Sequence, residues 1–215
     1  MPVNSFNFCI EKTMPDCFLK IYYNYEKKIV NAIFQLLFKS KHSSLLSNRV
    51  NVHDYVVVSL PKLFRAIGAV KRYIKQRGGE GLSDLVFVDI GSGLGHTLQI
   101  ISKVYNFKKL VGIEIDRNLC LASVKKNIPN SLIIESDALT FNFNGYHGLF
   151  YFYNPMPTSI LVSVIHKIQK QVETPIFILI NCKDCIEIVE SLRGNIIYFD
   201  NEISNVLVFD LSLRV

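Results

Sequence analysis

The stretch Val86-Phe87-Val88-Asp89-Ile90-Gly91-Ser92-Gly93-Leu94-Gly95-His96 decides the fold of this chain. An apolar run with one embedded acid leads directly into three glycines that alternate with other residues. The apolar run is typical of a buried strand, and glycine adopts at low cost the backbone angles of a turn into a helix. Because glycine has no side chain, a ligand can also approach the main chain closely. The stretch therefore predicts a strand, a turn and a helix that together hold a small cofactor.

The spacing of the glycines indicates which cofactor this is. A dinucleotide-binding turn reads G-x-G-x-x-G, whereas here the glycines stand at 91, 93 and 95, and His96 takes the third place. The form D-x-G-x-G-x-G after a strand resembles the first motif of the class I S-adenosylmethionine (SAM)-dependent methyltransferases. This resemblance implies a SAM-dependent methyltransferase and disfavours a NAD-dependent oxidoreductase. A non-catalytic binding or scaffold protein built on the same fold is the other alternative.

From residue 85 onward, short apolar runs alternate with helical segments, which predicts βαβ units and a mostly parallel sheet of the α/β class. The last two predicted strands are joined by residues 200–204, which are too few for a parallel crossover, so we expect an antiparallel terminal hairpin. Seven strands with this ending resemble the methyltransferase sheet of order 3-2-1-4-5-7-6 in a three-layer sandwich. The predicted strands are 85–90, 110–115, 131–135, 148–153, 176–181, 195–199 and 205–211, and the predicted helices are 96–105, 117–127, 158–171 and 184–193.

The chain before residue 81 follows another pattern. Apolar residues recur with helical spacing from Phe18 to Phe38, and a second helix is expected to begin near Pro61 and to end before Gly78. We expect residues 1–80 to form an N-terminal helical segment or lid with Tyr55 over the cofactor, and residues 81–215 to form the SAM-binding, Rossmann-like methyltransferase domain. The predicted buried stripe of the second helix is Leu63, Phe64, Ile67, Val70 and Ile74.

Four strand ends are expected to form the cofactor site, because ligands of open α/β sheets bind beyond the carboxyl ends of the strands. The resemblance implies that Asp89 binds the amino group of the methionine moiety, that Glu114 binds the ribose hydroxyls, and that Asp137 binds the adenine amino group. The helix N-terminus after the glycine turn is expected to bind the methionine carboxylate. An ordinary turn residue at Glu114 and a turn cap at Asp137 are the alternatives for these two acids. The predicted cofactor-binding residues are Asp89, Gly91, Ser92, Gly93, Gly95, Glu114, Ile115, Asp137, Ala138 and Asn154.

The segment after the fourth strand, Asn154-Pro155-Met156-Pro157, is expected to reach the transferable methyl group. It resembles in part the Asn/Asp-Pro-Pro-aromatic tetrad of amino-directed methyltransferases, whose oxygens hold the target amino group. Met156 replaces a proline of that tetrad, and Pro157 replaces the aromatic residue, so we expect Tyr151 or Tyr153 to supply a ring. Asn154 and Tyr153 are the candidate catalytic residues, and the acceptor, a nitrogen or oxygen of protein, RNA or a small molecule, is left unassigned. The alternative is that Asn154 and Pro155 only end a buried strand and line the cofactor pocket.

Charge is unevenly distributed along the chain. Residues 1–84 contain 13 lysines and arginines against 6 aspartates and glutamates, whereas residues 85–215 contain 11 against 12. RNA and acidic proteins are therefore candidate partners of the N-terminal segment. Lysines on solvated helix faces are the alternative explanation.

Composition restricts location and redox chemistry. The chain is 49% hydrophobic with a mean hydropathy of +0.25, yet it has no uninterrupted apolar run of the roughly 18 residues that a membrane span needs. The N-terminus lacks the order of a signal peptide, so we expect a cytoplasmic protein. Cys182 and Cys185 have no second pair with the spacing of a zinc site, so no metal is expected. The sequence leaves the oligomeric state open.

Overall fold

The computed structural model describes residues 59–79, 81–153, 156–182, 185–200 and 206–211. The chain divides into two compact units, Met1–Pro61 and Lys62–Val215, and nearly all of these residues belong to the second. The predicted helix over 18–38 and the predicted lid residue Tyr55 lie outside the described residues, so the role of residues 1–80 stays a prediction. Within the described ranges, no helix is long and apolar enough to cross a membrane.

Seven strands form one sheet with the order β3-β2-β1-β4-β5-β7-β6, which confirms the predicted fold class and strand order. Strands β1 to β5 pair in parallel, and β7 runs antiparallel to both of its neighbours, β5 and β6. Strands β1, β5 and β7 are buried at every position, as expected where helices cover both faces of a sheet. The strands are β1 (Val86–Ile90), β2 (Lys109–Glu114), β3 (Ser131–Glu135), β4 (Gly148–Tyr153), β5 (Ile176–Ile180), β6 (Asn195–Asp200) and β7 (Val206–Asp210).

The helices lie where the predicted βαβ units require them. Right-handed crossovers from β1 to β2 and from β2 to β3 place α2 and α3 on one face of the sheet, and the reversed strand order after β1 places α4 and α5 on the other. The helix predicted over 117–127 ends at Val124, and Asn127 has a left-handed backbone with φ 48°. The α-helices of the described ranges are α1 (Leu60–Gln76), α2 (His96–Val104), α3 (Arg117–Val124), α4 (Thr158–Gln171) and α5 (Cys185–Ser191), and a short 3-10 helix spans Leu82–Asp84.

Helix α1 belongs to the same face as α2. A series of ring contacts runs from Phe64 in α1 through Tyr105, Phe107 and Phe87 to Tyr151 in β4. The core of the opposite face contains the stacked rings of Phe177 and Phe209 together with buried residues of α4 and α5. The sheet is therefore the middle layer of three, as predicted.

The buried side of α1 differs in part from the predicted stripe. Leu63, Ile67 and Val70 are fully buried as predicted, whereas Phe64 and Ile74 are only half-buried. Ala66 and Ala69 are buried in their place. The Phe64 ring instead makes an edge contact with Tyr105, with the ring centroids 6.0 Å apart.

Polar contacts fix α1 along the strands at the β5-β7-β6 end of the sheet. The Lys62 ammonium donates to Asn181 Oδ1 at 2.7 Å, directly after β5. Arg65 lies 3.7 Å from the carboxylate of Asp200 at the end of β6. Toward the other end of the helix, the Tyr73 hydroxyl donates to Asp210 at the end of β7.

Candidate active site

The carboxyl ends of β3, β2, β1 and β4 lie side by side, and we call this side of the sheet the carboxyl edge. Pairing aligns Ile90 of β1 with Ile113 of β2 and with Phe152 of β4, and aligns Glu114 with Glu135 of β3. The strand order reverses between β1 and β4, so the helix after β1 and the helix after β4 lie on opposite faces of the sheet. This divergence opens a crevice between the ends of β1 and β4. The segments that carry the predicted site residues therefore meet along one edge.

The turn after β1 requires its three glycines. Gly91, Gly93 and Gly95 all have positive φ, at 76°, 53° and 71°. The N–H groups of Gly91 and Ser92 donate to the carbonyl oxygen of Ile113, which attaches the turn to β2. Gly95 is the N-cap of α2 and has no side chain that could accept from the first N–H groups of that helix. The positive end of α2 is thus presented at the carboxyl edge, where an anion would be stabilised.

Gly95→Ala is expected to destabilise the protein strongly. A Cβ atom at Gly95 would lie 2.1 Å from Ser123 Oγ, and φ is +71° there. Left-handed backbone at a residue other than glycine costs roughly 1–2 kcal/mol, and overpacking a core adds about 1–3 kcal/mol. Chemical denaturation of the purified variant measures the sum.

A matched control separates these two costs. Gly145 has a similar φ of +84° with nothing within 4 Å of its Cβ position, so Gly145→Ala should show the backbone cost alone. Adding Ser123→Ala to the Gly95→Ala variant should restore part of the lost stability. If the double variant is no more stable than Gly95→Ala, the steric explanation is wrong.

Asp89 is a buried acid whose carboxyl group would be stabilised by a bound cation. Its side chain is 2% exposed, and burial, followed by the nearby charge of Glu114, raises its pKa from 3.8 to about 8. The Thr97 hydroxyl donates to the carboxyl group, while Oδ2 has no hydrogen-bond partner among the described residues. A buried polar atom without a partner is costly unless a ligand completes it. The ammonium group predicted to bind here has the charge and the donors that this atom lacks.

Glu114 connects the end of β2 to the glycine turn. Its Oε2 accepts from the Gly93 N–H at 2.7 Å, and its Oε1 accepts from the Asp116 N–H at 2.9 Å. The side chain is 8% exposed. Since an ionised carboxylate has about four acceptor positions, two remain for hydroxyl donors such as those of a ribose. These bonds hold the carboxylate beside the turn.

The ends of β2 and β3 also present apolar surface beside polar groups. Ile115 is 68% exposed directly after β2, and Leu139 is 41% exposed after β3. Asp137 Oδ1 accepts from the Leu139 N–H at 2.8 Å, so this acid does cap its own turn, and one oxygen is left for another donor. Ala138 packs half-buried against the core. A flat aromatic ring held by Asp137 would cover these apolar side chains.

Two further residues of this site were not identified from the sequence. Thr97, which is 5% exposed in the first turn of α2, donates to Asp89. Gly112 lies inside β2, where a Cβ atom would lie 2.7 Å from Ser92 Oγ and 2.8 Å from Leu98. The sequence signal for Gly112 was available, since an isolated glycine in a strand indicates close approach of a neighbouring group.

At the end of β4 the structure corrects one expectation. Tyr151 is fully buried and stacks on Phe87 with the ring centroids 5.7 Å apart, so it is not available to a substrate. Tyr151 lies inside β4, where every position before the last is buried, whereas Tyr153 is the last residue of the strand. Tyr153 ends the strand half-buried, Met156 packs on the core, and Pro157 is exposed as the N-cap of α4. Asn154 lies outside the described residues, so its role stays a prediction.

Comparison with known proteins decides the family. The family model described as ribosomal RNA adenine dimethylase matches residues 70–179, just over half of the chain. The chain belongs to this family. A member of the ribosomal RNA adenine dimethylase family is a SAM-dependent methyltransferase, so the predicted cofactor and enzyme class are confirmed. The polar groups of the glycine turn, Asp89 and Glu114 fit this cofactor.

Solved structures support the fold of this family member. A human methyltransferase 10 domain containing protein has a TM-score of 0.55 at 14% identity, over 73% of this chain and 85% of that chain. A putative methyltransferase from Escherichia coli has a TM-score of 0.51 at 12% identity, over 70% and 88%. Magnesium protoporphyrin IX methyltransferase from Synechocystis PCC 6803, with bound SAM, has a TM-score of 0.50 at 14% identity, over 71% and 81%. No curated protein matches the chain by sequence.

Proposed function

We propose that this methyltransferase transfers a methyl group from SAM to the exocyclic amino nitrogen of adenine in RNA. The match of residues 70–179 to the ribosomal RNA adenine dimethylase model carries this proposal. It covers the glycine turn, the Asp137 segment and the segment after β4 in a single stretch. The excess of lysine and arginine in residues 1–84 agrees with an RNA substrate.

The proposed cofactor site uses the residues of three strand ends. Asp89 binds the amino group of the methionine moiety, and the N-terminus of α2 binds its carboxylate. Glu114 binds the ribose, while Asp137 and the Ala138 N–H bind the adenine ring over Ile115. Gly91, Ser92, Gly93 and Gly95 shape the turn that brings the main chain against the cofactor. Asn154, which follows β4 in the sequence, is the remaining proposed cofactor-binding residue.

The chemistry at this site depends mainly on positioning. When bound, SAM would supply an electrophilic methyl group on a sulfonium sulfur. The adenine amino nitrogen displaces that sulfur in line at about 3 Å, so that an N–C bond forms as the S–C bond breaks. S-adenosylhomocysteine is the leaving group, and the amino nitrogen loses one proton to water. The side-chain oxygen of Asn154 accepts a hydrogen bond from the adenine amino group, which orients the nitrogen lone pair toward the methyl group. The half-buried Tyr153 lies directly before Asn154 and supplies a ring for the extruded base.

Pro157 is the clearest departure from the amino-directed tetrad. It is exposed and begins α4, so the position of the tetrad's aromatic residue offers no ring here. The proposal therefore assigns base stacking to Tyr153. Stacking on an aromatic ring contributes roughly 1–3 kcal/mol per base, which is the contribution that the proposal assigns to Tyr153.

Transfer of a labelled methyl group to RNA tests the proposal. We expect the full-length protein to methylate an unstructured adenine-containing oligoribonucleotide, and mass spectrometry of its nucleosides to place the methyl group on the adenine amino nitrogen. A matched oligonucleotide with purine riboside in place of adenosine lacks only that amino group and should not react. Label on another base, on ribose or on the purine control would contradict the proposed acceptor while leaving the methyltransferase activity intact.

A further inference from the structure

Helix α1 has a charge distribution unlike that of the other described helices. Its 17 residues include five lysines and arginines and no acid. Lys71, Arg72 and Lys75 are exposed in its second half, and Arg77 follows directly. By contrast, α2 and α3 each carry one lysine or arginine, and α5 carries two glutamates. Helix α4 carries two lysines and no acid, so α1 has the largest net positive charge of the described helices.

The first turns of α1 lie beside the carboxyl edge. Lys62 donates to Asn181, which directly follows β5, and β5 pairs with β4 so that Ile180 aligns with Tyr153. The ammonium group of Lys62 therefore lies at the end of β5, the strand next to the end of β4. Asp200 offsets Arg65, which lies farther along the sheet.

We infer that the exposed face of α1 is an RNA-binding surface, whose lysines and arginines contact the phosphates of the acceptor strand that enters the site past Lys62. This inference rests on the proposed RNA acceptor. Side chains three and four residues apart on a helix are neighbours, so Lys71, Arg72 and Lys75 form one continuous cationic strip. Such a strip matches the closely spaced charges of a nucleic acid backbone.

Aromatic rings beside these cations favour RNA over an acidic protein. Phe64 and Tyr73 of α1 are half-buried, and so is Tyr105, which contacts Phe64. The guanidinium of Arg77 lies 4.8 Å from the centroid of the Tyr73 ring. Surfaces that bind single-stranded RNA combine a cationic groove with rings on which bases stack. An acidic peptide would contact the cations but would gain no stacking on these half-buried rings.

Neutralisation of the strip tests the inference. The variant Lys71→Gln/Arg72→Gln/Lys75→Gln is compared with the control Lys125→Gln/Lys170→Gln/Arg193→Gln, which removes the same charge from exposed residues elsewhere. Fluorescence anisotropy with an oligoribonucleotide of about 16 nucleotides measures the Kd across a salt series. For the α1 variant, we expect affinity to fall at least about tenfold at low salt and the slope of log K against log salt to flatten by about 2. The control should stay close to the wild-type protein in both quantities.

The outcomes separate this inference from the proposed function. Equal losses in the two variants would overturn the role of α1, and so would polyglutamate binding to the wild-type protein as tightly as the RNA. Adenine methylation in the preceding experiment would stand in either case. If instead the label falls on another atom while the α1 variant alone loses RNA affinity, the acceptor assignment fails and the RNA-binding surface remains.

Discussion

Asp89→Asn should weaken SAM binding roughly 10- to 100-fold and at the same time stabilise the ligand-free protein at pH 8. The asparagine keeps the shape of the buried group but cannot offer a negative charge to the ammonium group of the cofactor. Hydrogen bonds that involve a charged group contribute about 1.5–3 kcal/mol, which sets the size of the binding loss. Isothermal titration calorimetry with S-adenosylhomocysteine measures it.

The gain in stability follows from the pKa of Asp89. Burial raises this pKa from 3.8 to about 8 in the folded protein, so between these values the folded protein keeps a proton that the unfolded chain has released. The free energy of unfolding of the wild-type protein therefore falls as the pH rises from about 4 to about 8. Asparagine does not titrate, so the difference between variant and wild type grows across this range and levels off above pH 8. We expect a difference on the order of a few kcal/mol.

Asp84→Asn is the control for Asp89→Asn. Asp84 is an exposed acid in the 3-10 helix before β1, and its replacement should change neither the affinity for S-adenosylhomocysteine nor the pH dependence of unfolding. A parallel pH dependence of stability for Asp89→Asn and the wild-type protein would show that Asp89 is ionised in the folded state. Unchanged cofactor affinity in Asp89→Asn would remove this acid from the proposed site.

Asn154→Ala should reduce kcat for RNA methylation roughly 100- to 1000-fold, the cost of removing one positioned polar group from a reacting centre. The variant loses the side-chain oxygen that the proposed function assigns to the adenine amino group, whereas the proposed cofactor-binding acids Asp89, Glu114 and Asp137 are unchanged. The affinity for S-adenosylhomocysteine should therefore change far less than kcat. Single-turnover methyl transfer and calorimetry measure the two quantities separately.

A conservative variant and a control variant test whether the loss in Asn154→Ala comes from the missing side-chain oxygen. Asn154→Asp retains an acceptor oxygen and should recover much of the activity, while Asn144→Ala changes an exposed asparagine of a distant turn and should have no effect. Equal losses of cofactor affinity and kcat in Asn154→Ala would indicate that Asn154 only lines the cofactor pocket. That result would support the alternative interpretation of the segment after β4.

The sheet could be predicted because its signals are local. Buried parallel strands read as short apolar runs, and the few residues between β6 and β7 exclude a parallel crossover, so seven strands and their order follow from the sequence together with the family resemblance. Glycine positions 91, 93 and 95 were equally informative, because all three have positive φ. These features depend on neighbouring residues and on general rules of chain connection.

The residues that were missed depend on contacts between distant parts of the chain. Thr97 donates to Asp89 only because α2 folds back over β1, and Gly112 matters because Ser92 lies against β2. Tyr151 and Tyr153 have the same side chain and lie two residues apart in β4. Packing buries Tyr151 completely, whereas Tyr153 at the end of the strand is only half-buried. The helical spacing of α1 predicted its core contacts but not that Phe64 would turn toward Tyr105.

The position of β7 determines the order in which this sheet can be assembled. β7 is the last strand in the chain, yet it lies between β5 and β6, and β6 pairs with no other strand of the sheet. During synthesis, β6 leaves the ribosome before β7, the strand with which it pairs in the described sheet. Until β7 arrives, the apolar strand β5 has no partner on the side where β7 will pair. The sheet is therefore complete only after β7, which ends at Asp210, has emerged. Until then the nascent chain exposes the kind of strand edge that chaperones protect from aggregation.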